Sequence, residues 1–315
     1  MVRPHGTYSI VALDPSTGEL GVAVQSHWFG VGALCPWVRP GVGAVATQSI
    51  VEPAHGPNTL DRLAEGLDPA SALAIALAGD EVSAMRQVGV VDSSGRVAAH
   101  TGDGCIAEAG HVLGEHWSCQ ANMMARATVP AAMSAAFAAA GGDLAARLLA
   151  AVEAAEGEGG DVRGRQSAAL VVAPPTGEPW RTRVSLRVED HADPIAELHR
   201  LLTLQRAYDL AGDADGLAGA GHTDEAAALY RRAATLAPDS DELLFWAGLA
   251  LAHDGDLAGA ADAIEQAAAR HPGWLTLLDR LSPDIAPAAQ ALRDVLESHR
   301  LKKCAPEVAD RTPAS

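Results

Sequence analysis

A chain of 315 residues with 48% hydrophobic content can fill one large core or two ordinary ones, and its formal charge of −17 is shared between the two halves. That charge opposes binding to phosphate backbones, which excludes nucleic acid as a partner, and no apolar run is long enough to span a bilayer. Both lysines, Lys302 and Lys303, stand in the last fifteen residues, so chemistry that needs a lysine in the first domain is excluded.

Met1–Gly6 leads into alternating sequence rather than an apolar stretch, which predicts no secretory leader. Cys35, Cys105, Cys119 and Cys304 show no C-x-x-C spacing. Reduced thiols and a cytoplasmic protein are therefore expected. Thr7–Leu13 and Glu19–Ser26 read as strands, because apolar positions alternate around the turn formers Asp14–Gly18. A third strand is predicted at Val42–Gln48, followed by a loop with Pro53, Gly56 and Pro57 and helices at Asn58–Ala64 and Pro69–Ala78. A second hairpin follows at Gln87–Asp92 and Arg96–His100, with further strand pieces at His111–Leu113 and Trp117–Gln120. Pro130–Ala140 and Leu144–Ala155 are Ala/Leu-rich helices, and Ser167–Val172 with Thr182–Val188 closes the segment. Two sheets whose outer faces need cover suit an α+β fold, a four-layer αββα sandwich over residues 1–190.

The remainder carries a different period. Ala226 and Ala260, Ala233 and Ala267, and Pro238 and Pro272 are each 34 residues apart, the tetratricopeptide spacing. Small alanines let paired helices approach closely and the prolines end them. A small all-α, TPR-like helical domain is expected over residues 191–300, with Ile195–Leu210 as its capping helix and 301–315 as a frayed tail.

Several strings in the first domain carry a family resemblance: Thr7–Ala12, Gly21–Ser26, Gly41–Gln48, Gly89–Asp92, His100–Gly102 and Gly159–Ala169. With them the segment resembles the bacterial Ntn-hydrolase-like family known as domain of unknown function 1028. The resemblance implies the Ntn-hydrolase sandwich. In the wider superfamily an N-terminal Thr, Ser or Cys is the nucleophile and its own α-amine is the base, since an amine with a pKa near 8 accepts a hydroxyl proton close to neutrality. Thr7 matches the first-strand threonine. It stands behind six residues, and Gly6-Thr7 is a junction of the kind that proteasome precursors cleave in themselves. The resemblance further implies Ser26, His27, Asp161 and Ser167 as catalytic companions, while Gly43 and Ala44 stand where proteasome-like enzymes keep a lysine.

Gln48, Ser49, His100, Asn122 and Arg165 complete the candidate set as substrate-binding residues, and the Ser49–Gly56 loop could offer a backbone N–H to an oxyanion. Against these stand plainer readings. A threonine opening a strand is ordinary, and a histidine at a strand end usually serves structure. His111-x4-His116 lacks the order of a metal motif, and Gly41-x-Gly43 lacks the third glycine of a dinucleotide loop, so no metal or cofactor is expected. Cys35 and Cys119 read as buried small apolar side chains.

Two functions remain open on these residues. One is an amidohydrolase that cleaves a small amide or peptide-like ligand through Thr7, made competent by self-cleavage, by trimming or by a downstream start. The other is a non-catalytic protein that binds a ligand on the sandwich and docks a protein partner on its TPR-like helices. The low polarity of the helices over 130–155 adds an expected homodimer.

Overall fold

The computed structural model describes residues 6–304. Among these residues, ten strands form two antiparallel sheets. They are β1 (Thr7–Leu13), β2 (Leu20–Ser26), β3 (Pro36–Arg39), β4 (Gly43–Ser49), β5 (Arg86–Asp92), β6 (Val97–Thr101), β7 (Gly110–Leu113), β8 (Trp117–Asn122), β9 (Ser167–Ala173) and β10 (Val184–Val188). The larger sheet has the order β10-β9-β2-β1-β8-β7 and the smaller the order β3-β4-β5-β6. The helices of this part are α1 (His55–Ala64), α2 (Pro69–Leu77), α3 (Val129–Ala139) and α4 (Leu144–Gly157).

Period-two alternation decides what each strand face meets. Tyr8, Ile10 and Ala12 of β1 enter a core with Met133 and Phe137 of α3 and Leu148 and Leu149 of α4. Val11 and Leu13 turn the other way and join Val22, Val24, Ala44, Ala46 and Val91, so the two sheets face one another across this layer. The outer face of the smaller sheet, Val45, Val88 and Val90, packs on Leu60 and Leu63 of α1 and Ala72 and Leu73 of α2. Burying each such aliphatic side chain contributes about 2 kcal/mol. Asp68 and Asp143 cap α2 and α4 by accepting backbone N–H bonds, each cap adding about 1 kcal/mol.

Towards the Thr7 end the layer between the sheets changes from aliphatic to polar. Ser9, Gln48, Gln87, Gln120 and Asn122 are buried there and bonded to one another. A Cβ on Gly89 would lie 2.1 Å from Gln120 Oε1, so only glycine leaves that amide its place.

The chain divides into two compact units, one up to Leu202 and the other from Thr203. The division falls within α5 (Pro194–Gly219), later than residue 190, because Ile195, Leu198 and Leu202 are buried in the first core. The second unit is helical, with α6 (Thr223–Leu236), α7 (Asp241–His253), α8 (Leu257–Arg270), α9 (Gly273–Arg280) and α10 (Ala289–Cys304). Phe245, Ala260, Ala261, Ile264 and Ala267 form its core with Leu278, Leu292 and Leu296.

Several boundaries depart from expectation. β3 was not foreseen, since four half-buried residues beginning with proline show no alternation. α1 starts at His55 rather than Asn58, which places Pro57 in its first turn, where no intrahelical N–H bond is required. α5 runs on to Gly219 through Gly212 and Gly216, well beyond Leu210. Residues 301–304 belong to α10 rather than to a tail, and residues 305–315 lie outside the described residues.

Candidate functional site

β1 and β2 pair so that Thr7 lies opposite Ser26, and β8 brings Asn122 to its other side. Thr7 is 1% exposed, so its hydroxyl is enclosed rather than facing solvent as a strand start would suggest. Thr7 Oγ1 donates to Ser26 Oγ at 3.1 Å, and Ser26 Oγ donates to the Gly6 carbonyl oxygen at 2.5 Å. Arg163 Nη2 donates to the same oxygen at 3.0 Å. The carbonyl that precedes Thr7 is therefore held by one hydroxyl and one guanidinium.

Asp161 anchors the arginine. Its carboxylate accepts from Arg163 Nε at 3.0 Å, from Nη2 at 2.7 Å and from the Arg163 backbone N–H at 2.9 Å. The His27 backbone N–H approaches the second oxygen at 3.4 Å. A guanidinium terminal nitrogen carries two hydrogens, so Nη2 can serve Asp161 and Gly6 together. The Asp161 side chain has no solvent exposure, and a buried carboxylate needs such pairing. Below Thr7, Gln48 Nε2 lies 3.2 Å and Asn122 Nδ2 3.4 Å from the Thr7 carbonyl oxygen, and both reach Gln87 Oε1. Among the described residues, His27 Nδ1 is buried without a hydrogen-bond partner.

Of the candidate residues, Thr7, Ser26, His27, Gln48, Asn122 and Asp161 converge on this junction. Ser167 is the cross-strand neighbour of Ser26, yet its hydroxyl is spent on the loop after β2, donating to the Trp28 carbonyl and accepting from the Val31 N–H. Ser49 ends β4 in a left-handed conformation (φ 73°). His100 faces away from the layer between the sheets and bonds the Ser83 carbonyl oxygen at 2.9 Å. Arg165 pairs with Glu156 and Asp193 instead, and Glu156 also accepts a hydrogen bond from the Tyr8 hydroxyl. Burial and then Glu156 hold that phenol well above its ordinary range.

In the Ser49–Gly56 loop, the N–H groups of Ile50, Ala54, His55 and Gly56 are bonded within the loop and to Met85. Arg163 was absent from the expected set. Its place depends on a contact across 157 positions, and the sequence hints at it only by setting Arg163 two residues from Asp161 within the Gly159–Ala169 string. His111 and His116 have separate partners, Thr101 Oγ1 and the Gly95 carbonyl. Burial pushes the thiols of Cys35 and Cys119 up, well above the ordinary range for thiols.

The sequence pattern of a family described as a family of unknown function, DUF1028, matches residues 7–198. The crystal structure of protein SPO2555 from Silicibacter pomeroyi, described by the same family, is 33% identical, with a TM-score of 0.57. The match covers 62% of this chain and 88% of that one. No curated protein matches the chain.

Proposed function

The chain belongs to the family of unknown function DUF1028, and on that footing we propose that its first unit is an Ntn-type amidohydrolase with Thr7 as nucleophile. The carrying observation is the Gly6 carbonyl, held by Ser26 and Arg163 directly beside the Thr7 hydroxyl. In this reading the two sheets and their helix pairs are the four-layer αββα Ntn-hydrolase sandwich, and the similarity to the family begins at Thr7 itself.

The chemistry starts with the chain's own bond. While Gly6 is attached, the Thr7 nitrogen is an amide and no base. Attack of Thr7 Oγ1 on the Gly6 carbonyl carbon closes a five-membered ring. Negative charge then develops on the oxygen that Ser26 and Arg163 already hold, which is where fixed donors lower a barrier most. The C–N bond breaks, the hydroxyl proton ends on the Thr7 nitrogen, and the leader is left as an ester on Oγ1. Water adds to that carbonyl, the C–Oγ1 bond breaks, and Met1–Gly6 leaves as a carboxylic acid. The free amine can then accept the Oγ1 proton when a small amide or peptide-like substrate is attacked and return it to the departing amine.

Asp161 positions Arg163, and Gln48 and Asn122 hold the Thr7 main chain. The second unit is read as a TPR-like module that docks a protein partner. The reading is supported by the equal 34-residue offset of α6 and α8, which run from Thr223 and from Leu257.

Intact mass tests the enzyme. Wild-type protein is expected to start at Thr7, Thr7→Ala to stay full length and inactive, and Thr7→Ser to retain some cleavage. Thr7→Ala is expected to remain folded with a loss of about 1 kcal/mol, the worth of one buried hydrogen bond. A leader removed from Thr7→Ala as well would assign its loss to an aminopeptidase. Folded, full-length wild type that binds a ligand equally well with alanine at position 7 would replace the hydrolase with the binding-protein reading.

A further inference from the structure

The slot that holds Gly6 also limits what else can be joined to Thr7. A Cβ built on Gly6 would stand 2.5 Å from Asp161 Oδ2, 2.7 Å from Arg163 Nη2 and 3.0 Å from Asp161 Cγ. A flexible side chain could swing aside at little cost, but this wall is pinned. Asp161 is fully enclosed and accepts from its partner's guanidinium twice, from the Arg163 N–H and from the His27 N–H. Moving it by the ångström that a methyl group needs would break several charge-assisted bonds at once.

The ester formed when Thr7 Oγ1 takes the Gly6 carbonyl is the same chemical species as the acyl-enzyme of an external substrate. The same oxygen bears the acyl group, and the same Ser26 and Arg163 donors face its carbonyl. What the slot refuses in one it refuses in the other. We infer that the site takes acyl groups whose α-carbon is unsubstituted, glycyl-type amides, and rejects those with a side chain there. This rests on the hydrolase reading and adds the substrate class to it: the acyl half is a glycyl or simple CH2-acyl unit and the leaving half is an amine.

In the reaction the C–N bond of the glycyl amide breaks and a C–Oγ1 ester forms. The amine departs with the proton that Thr7 gave up, and water then releases the glycine-type carboxylic acid. No oxidant, reductant or further reactant enters.

The experiment uses two preparations of the otherwise complete chain. In the first, Gly6→Ala is compared with wild type by intact mass over time, with thermal unfolding as the check on folding. The expected result is self-cleavage slowed by about 100-fold or more at unchanged fold, at the upper end of what one misplaced methyl group does in a rigid site. In the second, the chain is released from an upstream fusion so that it begins at Thr7, and is assayed on N-acetylglycyl and N-acetyl-L-alanyl p-nitroanilides. Preference for the glycyl anilide by a similar factor supports the inference. Equal turnover of the two anilides overturns it and leaves the hydrolase standing, and so does folded Gly6→Ala that cleaves as fast as wild type. If Gly6→Ala fails to fold, the anilide pair decides alone. A Thr7-first protein that turns over neither, from a wild type that never cleaves, overturns the hydrolase and this inference with it.

Discussion

At the scale of single residues, the ion cluster on Asp80 offers a clean test of what holds the α1–α2 side of the first unit. His55 Nε2 at 2.8 Å and Arg86 Nε at 2.7 Å meet on one Asp80 oxygen, and the Asp80 side chain is only 12% exposed. Hydrogen bonding to Arg86, and less to His55, holds the carboxyl far below the usual carboxylate range. A carboxyl with a lowered folded pKa stabilises the fold above its unfolded pKa, near 3.9, and that contribution is lost as acid carries the solution down through the folded value. Asp80→Asn should therefore cost about 3 kcal/mol at neutral pH. Urea unfolding at pH 7 and pH 3 should show the gap from wild type shrinking in acid. An equal gap at both would mean that the loss is not ionic. The candidate site was legible to the same degree as its strands. Thr7, Ser26 and Asn122 end regular strands whose pairing brings them together, whereas Arg163 sits in a non-repetitive loop held by neighbouring Asp161 and by Gly6, 157 positions away.

At the scale of elements, strands with one apolar face on helices and the other between sheets were readable from alternation and turn formers. β1, β2 and β5 lie close to their expected spans. β3 was not, because its ordering comes from pairing with β4 rather than from any pattern of its own. The helical unit was legible through spacing. Ala226, Ala233, Ala260 and Ala267, picked out by their 34-residue offset, are all buried, and a Cβ on Gly248 would meet Ile264 at 3.1 Å and the Ala260 carbonyl at 3.2 Å. α7 and α8 thus pack with no room for a larger group. Ala260→Glu should destabilise this unit by about 3 kcal/mol, the cost of an unpaired charge forced into a closed contact. Circular dichroism melting measures it, and an unchanged midpoint would refute the close packing of α7 on α8.

For the molecule as a whole, acidity governs behaviour in solution. With a net charge of −17 and an isoelectric point near 5.0, like charges oppose indiscriminate aggregation at neutral pH. Solubility should pass through a minimum near pH 5, and duplex DNA should not be retained at physiological salt. Turbidity across pH and a DNA shift assay check both, and tight DNA binding would reveal a local basic face that the composition hides. Among the described residues no helix is long and apolar enough to cross a membrane.

The amide-lined layer beneath Thr7 carries a consequence for kinetics. Ser9, Gln48, Gln87, Gln120 and Asn122 neither gain nor lose a proton in the working range of a protein. They form a floor that is silent to pH, keeping the Thr7 main chain in one position whatever the acidity. Any pH–rate curve measured at Thr7 is then written from the other side of the junction, where the new amine would stand, and owes none of its shape to this floor.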